Sequence, residues 1–396
     1  MAKRIIIAGS PQPDLLRAAA EIGLQPIVLN PQGDGGDSSV NAAAVSGDST
    51  SPEAIKGLAI AEDAVGVVAS IEESVQAVAQ AASELGLPGV SPWAATRTRN
   101  KVALRQALAA KGFPNPPYRE VITEEQAEES ARAIGLPVIV KPADGYACQG
   151  VRFVDQIEEV SLAFTMAAKH SALGVVIVEE VMLGDEYSVE GIKVDGEYHV
   201  FGITRRIRSQ SIHPYATGLL VPANVSTTAQ GALIATARAA LTAIGMKTGP
   251  AHVEMILTDK GPQIIEIGAY LGAARIESAL IRLAYGIDCL AGCLRVAIGE
   301  APRLKPCVDR AAAASWIPSP SGIIAAVEGV EEARSLPGVA AVRVNAQPGE
   351  KVGHITDCRS RDRIGWVVAT GANAEEALAT AVRGRDRCRV VTRSTT

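Results

Sequence analysis

The chain has 396 residues, of which 47% are hydrophobic and 20% are charged, and its formal net charge is −5. This length predicts two to four domains with buried cores. The mildly acidic balance and the 4% of aromatic residues argue against a nucleic-acid partner or an anionic membrane surface. Both attract basic proteins, and nucleic-acid bases stack on aromatic rings.

The six cysteines form no CxxC pair, so a zinc site is not expected. Cys289 and Cys293 lie four residues apart in an apolar stretch and are interpreted as core residues. A reducing, cytoplasmic compartment fits this use of cysteine best. The apolar run at the N-terminus is too short for a signal peptide, and no run reaches the ~20 residues that span a bilayer.

The first ~90 residues predict a βαβ domain with a parallel sheet. Apolar runs at 3–9, 25–30 and 64–70 predict buried strands, and stretches with helical spacing follow the first and the third. Strand–helix–strand order implies parallel strands with right-handed crossovers. Gly9 is followed by Ser-Pro-Gln-Pro-Asp, so the GxGxxG fingerprint is missing and a nicotinamide site is weakly supported.

A helix over 94–112 and the proline-rich connector 113–118 lead into a second unit over 119–196. Its predicted elements are a helix (123–135), two strands (137–143 and 151–155), a helix (156–169) and a strand (175–181). Asp195-Gly196 predicts a hairpin within 186–208. A helix over 226–245 precedes two strands joined by TDKG, and from about residue 304 turns and short strands predict a small α+β unit.

Two lysines occupy positions that favour phosphate binding. Lys141 ends the apolar strand VIVKPA, where burying an ammonium costs several kcal/mol unless an anion pairs with it. The alternative is a side chain that snorkels at the sheet edge, and for Lys141 we favour the functional interpretation. For Lys101, near the start of a helix, the two are balanced. The loop from Asp144 to Gly150, with Gly145, is interpreted as a flap whose backbone N–H groups cover phosphates.

Carboxylates end the next strand and occupy the last hairpin. Glu179 and Glu180 are followed by Glu186 after a glycine turn; such a strand end can read an adenine edge, and a carboxylate can accept ribose hydroxyls. The alternative is a solvated turn. Glu254 and Glu266 lie on the two hairpin strands, where their side chains can be adjacent. A magnesium ion between them would relieve their repulsion, whereas the alternative is two exposed glutamates on the solvent face.

These elements, in this order, resemble the ATP-grasp superfamily. The resemblance covers nearly the whole chain and rests on RNK in TRNKVALRQAL, VIVKPADGYACQGV, VEEVMLGDEYSVEG and GPAHVEMILTDKGPQIIEIG. The chain is most similar to L-amino-acid ligases and their carboxylate–amine ligase relatives. Their C-terminal domain resembles the tail, in PSPSGIIAAVEGVEEARSLPGV and RSRDRIGWVVATGANAEEALATA.

The resemblance implies an α/β ATP-grasp fold in four parts. They are a preATP-grasp βαβ domain with a parallel sheet (1–92), a small subdomain and lid with a connecting helix (93–196), a large subdomain with the metal site (197–303) and a small α+β C-terminal domain (304–396). It also implies a ligase in which ATP phosphorylates a carboxylate and an amine attacks the acyl-phosphate, releasing ADP and phosphate. The alternatives are an ATP-grasp carboxylase or purine-pathway ligase, and a nucleotide-binding homologue without turnover.

The implied cofactors are ATP and Mg²⁺, with Mn²⁺ as a substitute, and the implied partners are a small acid and an amine. A homodimer is one assembly that this allows. The implied cofactor-binding residues are Lys101, Lys141, Gly145 and Gly150 for the phosphates, Glu179, Glu180 and Val181 for adenine, Glu186 for the ribose, and Glu254 and Glu266 for the metal.

The substrate part departs from the family's pattern. Gly268 and Tyr270 stand two and four positions after Glu266, where the family commonly has an Asn metal ligand and an Arg that contacts phosphate. Leu219 stands where many amino-acid ligases have His. A tyrosine cannot replace a fixed positive charge. We therefore expect a compensating cation and an altered substrate pocket. The catalytic candidates are Arg275 and Lys141, and the substrate candidates are His213, Tyr215, Tyr270, Arg205 and Arg206.

Overall fold

The computed structural model describes residues 2–10, 12–35, 42–270 and 275–394, although the side chains of residues 275 and 276 are not described. Four sheets organise the described chain: a parallel sheet, a small antiparallel sheet, a large antiparallel sheet and a three-stranded sheet.

The N-terminal sheet is parallel, with strand order β3-β2-β1-β4. Its elements are β1 (Lys3–Ala8), α1 (Pro13–Glu21), β2 (Leu24–Asn30), β3 (Ala43–Ser46), α2 (Pro52–Ala61), β4 (Ala64–Ala69) and α3 (Val75–Leu85). The central strand is fully buried, since Ile5, Ile6 and Ile7 have no exposed surface. The predicted parallel βαβ domain is confirmed. Strand β3 was not predicted, because its four residues include none of the large apolar side chains that mark a buried strand.

The predicted helix over 94–112 is wrong in one respect: it is two helices, α4 (Pro92–Arg99) and α5 (Lys101–Ala109). The helix is interrupted at Asn100, which has an extended backbone conformation. Its side chain accepts hydrogen bonds from Val102 N at 2.9 Å and Ala103 N at 3.0 Å. An asparagine that caps a helix in this way satisfies N–H groups that have no partner within the helix. The break places Lys101 at the first position of α5.

The small antiparallel sheet has the order β5-β8-β6-β7. Its elements are β5 (Tyr118–Val121), α6 (Glu124–Ile134), β6 (Val138–Pro142), β7 (Arg152–Val154), α7 (Val160–Ala168) and β8 (Val176–Glu180). Both helices pack on one face of this sheet around Val138, Val140 and Val178, which are fully buried. The loop 143–151 joins β6 to β7.

The second half of the chain builds the remaining two sheets. Its elements are β9 (Asp185–Val194), β10 (Glu197–Arg208), β11 (Ala216–Val221), α8 (Thr227–Ala243), β12 (Gly249–Thr258), β13 (Gly261–Gly268), α9 (Arg275–Tyr285), α10 (Cys289–Ala297), β14 (Ala311–Trp316), β15 (Gly322–Glu328), α11 (Val330–Arg334), β16 (Val339–Val344), β17 (Lys351–Val352), α12 (Cys358–Asp362), β18 (Gly365–Gly371), α13 (Ala374–Arg387) and β19 (Arg389–Arg393). Both predicted hairpins are confirmed, β9–β10 turning at Asp195-Gly196 and β12–β13 at Asp259-Lys260.

The eight-stranded sheet has the order β13-β12-β9-β10-β11-β14-β18-β16 and is antiparallel throughout. It includes β9, which precedes the proposed boundary at 196, and β14, β16 and β18, which follow the boundary at 303. The division into four parts therefore stays a proposal, and backbone pairing joins its last three parts into one sheet.

Candidate active site

A cavity of about 840 Å³ opens where the parallel sheet, the small antiparallel sheet and the eight-stranded sheet meet. The loop after β4, the strands β6 and β8 and the hairpin β12–β13 each contribute to its wall. Its lining includes the charged side chains of Glu72, Lys101, Lys141, Glu179, Glu254 and Glu266. Ionisable groups that converge on a large concave pocket are the usual mark of an active site.

Lys141 and Glu179 form a buried ion pair at one end of the cavity. They lie on the adjacent strands β6 and β8, and the Lys141 ammonium donates to Glu179 Oε1. Arg105 Nη2 donates to Glu179 Oε2 at 3.1 Å, and Arg105 Nη1 donates to Ile264 O at 2.7 Å. Burial lowers the pKa of Lys141, and the positive charges of Arg105 and Lys101 lower it further, against the attraction of Glu179. An anionic ligand would relieve this surplus of positive charge.

Lys101 connects the loop 143–151 to the hairpin β12–β13. Its ammonium lies 3.0 Å from Glu266 Oε2 and donates to Gly145 O at 2.8 Å. Burial by itself would lower the pKa of Lys101, but the negative charges of Glu266 and Glu72 outweigh it and raise the pKa. Gly145 is required by close packing, because a Cβ atom there would lie 2.3 Å from Pro142 Cγ. The loop 143–151 is thus held close to Lys101 at the wall of the cavity.

Glu254 and Glu266 are directly opposite each other on β12 and β13. Opposed residues of an antiparallel pair share one face of the sheet, and both side chains line the cavity. Two carboxylates provide the hard oxygen ligands that Mg²⁺ prefers, so the residues present fit this ion. Among the described residues no group of three His, Cys, Asp or Glu side chains is arranged around a metal position, and Gly268 supplies no side-chain ligand. Solvent and phosphate oxygens would have to complete the coordination.

Arg206 is surrounded by three carboxylates. Its guanidinium lies 2.7 Å from Glu186 Oε1, 3.1 Å from Glu254 Oε1 and 2.7 Å from Glu277 Oε1. Burial would raise the pKa of Glu254, but Arg206 and His252 outweigh it and lower the pKa to about 2. For Glu186, by contrast, burial prevails and raises the pKa despite Arg206.

His252 supplies a second positive charge beside Glu254. Its Nδ1 lies 2.8 Å from both Glu190 oxygens, and its Nε2 lies 2.8 Å from Glu254 Oε1. Although burial lowers the pKa of a histidine, the two carboxylates together raise the pKa of His252 well above its ordinary value. The imidazolium and Arg206 therefore offset much of the negative charge in this part of the site.

The far side of the cavity is formed by Glu72 and Tyr270. Glu72 pairs with Arg99, yet burial and the nearby Glu266 carboxylate raise the pKa of Glu72 to about 7. Burial also raises the pKa of Tyr270 well above its usual value, and Glu72 adds to the effect. Tyr270 thus contributes a neutral hydroxyl and an aromatic ring to the wall.

Two family models match the chain. Residues 134–277 match the ATP-grasp domain. They include β6 with Lys141, β8 with Glu179, and the hairpin with Glu254 and Glu266. Residues 315–393 match the L-amino acid ligase C-terminal domain 2. The chain thus contains an ATP-grasp domain. The sequence resemblance and the α/β ATP-grasp fold predicted from it are therefore confirmed.

The curated relatives of this chain include an uncharacterized protein and D-alanine–D-alanine ligases. The chain is 31% identical over 321 residues to an uncharacterized protein of Sinorhizobium fredii, y4rH, covering 80% of this chain and 66% of that protein. It is 27% identical over 199 residues to a D-alanine–D-alanine ligase of Albidiferax ferrireducens, covering 48% and 57%. The chain thus spans between about half and two thirds of the length of these relatives.

Solved structures show the same fold over the full length. An L-amino acid ligase from Bacillus licheniformis superposes with a TM-score of 0.84 at 22% identity, covering 100% of this chain and 99% of the other. A carboxyaminoimidazole ribonucleotide synthase from Aspergillus clavatus, solved with ATP, superposes with a TM-score of 0.76 at 20% identity, covering 98% and 99%. At these identities the likeness concerns the fold.

The cavity of this ATP-grasp chain gathers most of the residues selected from the sequence. Those that line it are Lys101, Lys141, Gly145, Glu179, Glu180, Val181, Glu186, Arg205, Arg206, Glu254, Glu266 and Tyr270. Arg205 lies toward the exterior, paired with Asp185 at 3.1 Å. Their roles toward ATP, metal and substrate stay predictions. The side chain of Arg275 lies outside the described residues.

Three selected residues are not brought to the cavity. Gly150 packs against Ala167 at the base of the loop. Its contribution to the loop is its positive φ of 70°. His213 Nδ1 lies 3.3 Å from Val151 O. In the same segment Ile212, Pro214 and Ala216 line the cavity, whereas His213 and Tyr215 are not among its lining residues. Their role toward the substrate stays a prediction.

Four charged residues of the site were missed in the sequence: Glu72, Arg105, His252 and Glu277. Arg105 lies four positions after Lys101, hence on the same face of α5, and His252 lies two positions before Glu254, hence on the same face of β12. Those spacings were available signals. No local pattern marks Glu72 or Glu277, which reach the site only through tertiary packing.

Among the described residues, no helix combines the length and the apolar character that crossing a membrane requires.

Proposed function

We propose that the protein is an ATP-dependent ligase that joins a carboxylic acid, an amino acid or a related acid, to an amine. The acid would be activated as an acyl-phosphate, and ADP and phosphate would be released. The observation that carries this proposal is the convergence of two lysines and two opposed glutamates on one cavity. That combination suits a bound nucleoside triphosphate with its metal, because fixed cations and hard oxygen ligands stabilise a transferring phosphoryl group.

ATP would lie between the small antiparallel sheet and the hairpin β12–β13. Lys141 and Lys101 would donate to phosphate oxygens, and the loop that carries Gly145 would cover them. Glu180 and Val181, at the end of β8, would border adenine with Glu179, and Glu186 would accept the ribose hydroxyls. Glu179 is held by Lys141 and Arg105, so its part would be to position these cations.

Glu254 and Glu266 would hold magnesium, for which manganese can substitute. When bound, the ion would supply charge neutralisation on the phosphates. Arg206 and His252 favour the ionised form of Glu254 by lowering its pKa to about 2, so this ligand needs no deprotonation before it binds a cation. Lys101 would move between Glu266 and the phosphates, both of which are within the reach of one flexible side chain.

The acid and the amine would occupy the part of the cavity near Tyr270. Its ring and neutral hydroxyl cannot make the two-pronged contact of an arginine with a carboxylate or an acyl-phosphate. We propose that Arg275, Arg206 or Arg205 supplies this positive charge from another direction. The acid substrate would therefore bind in an orientation different from that of a standard α-amino acid. The enzyme would work in the cytoplasm, alone or as a homodimer.

A phosphate-release screen with ATP and magnesium, over pairs of amino acids and small carboxylic acids, tests the proposal. Bicarbonate among the acids tests the alternative of a carboxylase, since it would then be the preferred acid. Chromatography of a productive mixture should show ADP, because the carboxylate attacks the terminal phosphoryl group. AMP as the main nucleotide product would mean adenylation and would contradict this mechanism. The Lys141→Ala variant provides the background rate.

A further inference from the structure

Two cysteines distant in sequence meet at the wall of the cavity. Cys148 lies in the loop 143–151, and Cys358 is the first residue of α12, in the C-terminal region. Their sulfur atoms are 3.7 Å apart although 210 residues separate them. Both side chains line the same cavity as the lysines. Thiols held this close on separate elements need only a small movement to reach the S–S bond length of about 2.05 Å.

Hydrogen bonds already join the two segments that carry the cysteines. Cys358 N donates to Ala147 O at 3.0 Å, and Arg359 Nη2 donates to the Tyr146 hydroxyl at 2.7 Å. Cys148 has a φ of 59°, in the left-handed region that is unusual for a residue with a side chain. The loop therefore adopts a strained conformation that presents Cys148 to α12.

The start of α12 is equally fixed. Asp357 accepts a hydrogen bond from Ser360 N at 2.7 Å, and the Ser360 hydroxyl accepts one from Asp357 N at 3.1 Å. This reciprocal pair is a capping box, which defines where a helix begins. Cys358 is consequently held in one position relative to the loop.

The surroundings divide the two thiols into a nucleophile and a proton donor. The hydrogen bond between the two thiols lowers the pKa of Cys358, and the positive charges of Arg361 and Arg206 lower it further against the effect of burial. The same hydrogen bond, and then burial, raise the pKa of Cys148 well above its ordinary value. A thiolate is the reactive form of cysteine toward oxidants.

We propose that Cys148 and Cys358 form a reversible disulfide that ties the loop 143–151 to α12. With hydrogen peroxide as oxidant, the Cys358 thiolate attacks one oxygen, the O–O bond breaks and a sulfenic acid and hydroxide result. The Cys148 sulfur then attacks the Cys358 sulfur, the S–O bond breaks, and hydroxide leaves and takes the Cys148 proton. The hydroxide from the first step takes the proton that Cys358 released when it ionised, so two thiols and one peroxide become one disulfide and two waters. A dithiol reductant reverses the bond.

The consequence for ligand exchange rests on the proposed function. If the loop covers ATP phosphates, a covalent tie to α12 would restrict its opening. Nucleotide would then enter and leave more slowly in the oxidised protein. The bond itself does not depend on what the cavity binds, so the two parts of the proposal can be separated experimentally.

The bond is tested on the full-length protein treated with one equivalent of hydrogen peroxide. Peptide mapping without reductant should find residues 148 and 358 in one cross-linked species, and intact mass should fall by two hydrogens and recover with dithiothreitol. Cys358→Ser and Cys148→Ser should each abolish this species. Cys307→Ser, which removes an exposed cysteine, should leave it unchanged. Absence of the 148–358 link in the oxidised wild type would overturn the proposal.

The effect on exchange is tested by stopped-flow mixing with a fluorescent ADP analogue and magnesium. Association should be at least fivefold slower for oxidised than for reduced protein, and dithiothreitol should restore it. Equal rates in a protein shown to carry the link would reject the control of exchange. If the reduced protein binds no nucleotide, the proposed function fails, whereas the mapping result still decides the disulfide.

Discussion

Arg206 Nη2 lies 3.1 Å from Glu254 Oε1, a contact that spans from β10 to β12 across the intervening strand β9. The same guanidinium contacts Glu186 on β9 and Glu277 on α9. One arginine thus fixes carboxylates from three elements at the wall of the cavity. A buried charge with this many opposite partners is costly to remove, because its partners remain buried without compensation.

Arg206→Leu should lower the free energy of unfolding by about 3–5 kcal/mol, since three carboxylates lose their common cation. Urea denaturation at pH 7 measures this. Arg205→Ala is the matched control, because the neighbouring Arg205 makes only a partly exposed pair with Asp185; its loss should cost less than about 1 kcal/mol. Similar costs for the two variants would show that Arg206 does not organise the site.

Glu254→Gln should change how stability depends on pH. The folded pKa of Glu254 is about 2, against an ordinary value of 4.5, so between these values the unfolded chain binds more protons. The stability from the ionised carboxylate, on the order of 3 kcal/mol, is present above pH 4.5 and lost as pH falls toward 2. Urea denaturation at pH 7, 4 and 3 should show the difference from Glu254→Gln shrinking on acidification. The surface variant Glu125→Gln should show no such trend, and a constant difference for Glu254→Gln would contradict the assigned ion pairs.

Lys141→Ala should weaken nucleotide binding at least tenfold, because a phosphate contact with a charged donor contributes about 1.5–3 kcal/mol. Isothermal calorimetry with a non-hydrolysable ATP analogue and magnesium measures the affinity. Lys169→Ala, which removes an exposed lysine at the end of α7, should bind like the wild type. Unchanged affinity in a folded Lys141→Ala protein would remove this residue from the nucleotide site.

Arg275→Ala should lower kcat strongly and leave the affinity for ATP almost unchanged. The contact that it removes would act mainly on the charged acyl-phosphate, not on the bound nucleotide. Steady-state kinetics with a productive substrate pair, together with calorimetry for ATP, separate the two quantities. If Arg275→Ala, Arg205→Ala and Arg206→Ala all keep near-normal turnover, compensation for Tyr270 is wrong, and this tyrosine marks either an unusual chemistry or a lost one.

Local patterns in the sequence predicted much of the fold. Short apolar runs located many of the strands, and turn chemistry located the hairpins at Asp195-Gly196 and Asp259-Lys260. The turn predicted that Glu254 and Glu266 lie near each other on paired strands, because a two-residue loop leaves little freedom. Their direct opposition depends on a register shift between Glu254 and Met255, which the turn alone does not predict. The break at Asn100 was missed, since a helical pattern on both sides concealed a residue that caps the second helix.

Contacts between distant segments were beyond such patterns. Arg105 and Glu179 are 74 positions apart, and Cys148 and Cys358 are 210 apart; no spacing rule connects them. The substrate side of the cavity shows the same limit, because His213 was selected by chain proximity, and its neighbours Ile212 and Pro214 line the cavity whereas His213 does not. The part of the cavity with Lys141 could be predicted from the sequence, because a lysine in an apolar strand is unusual in itself.

Strand β14 lies between β11 and β18 in the eight-stranded sheet. The C-terminal region therefore shields the backbone of β11, whose residues Gly218–Val221 pair with β14. A chain ending before residue 311 would present this strand as an open, apolar edge, and an exposed edge is a template for pairing with other molecules. Such a truncated protein would lose more than a domain: it would expose a surface that promotes aggregation. The tail thus protects the solubility of the half of the molecule that carries the catalytic candidates.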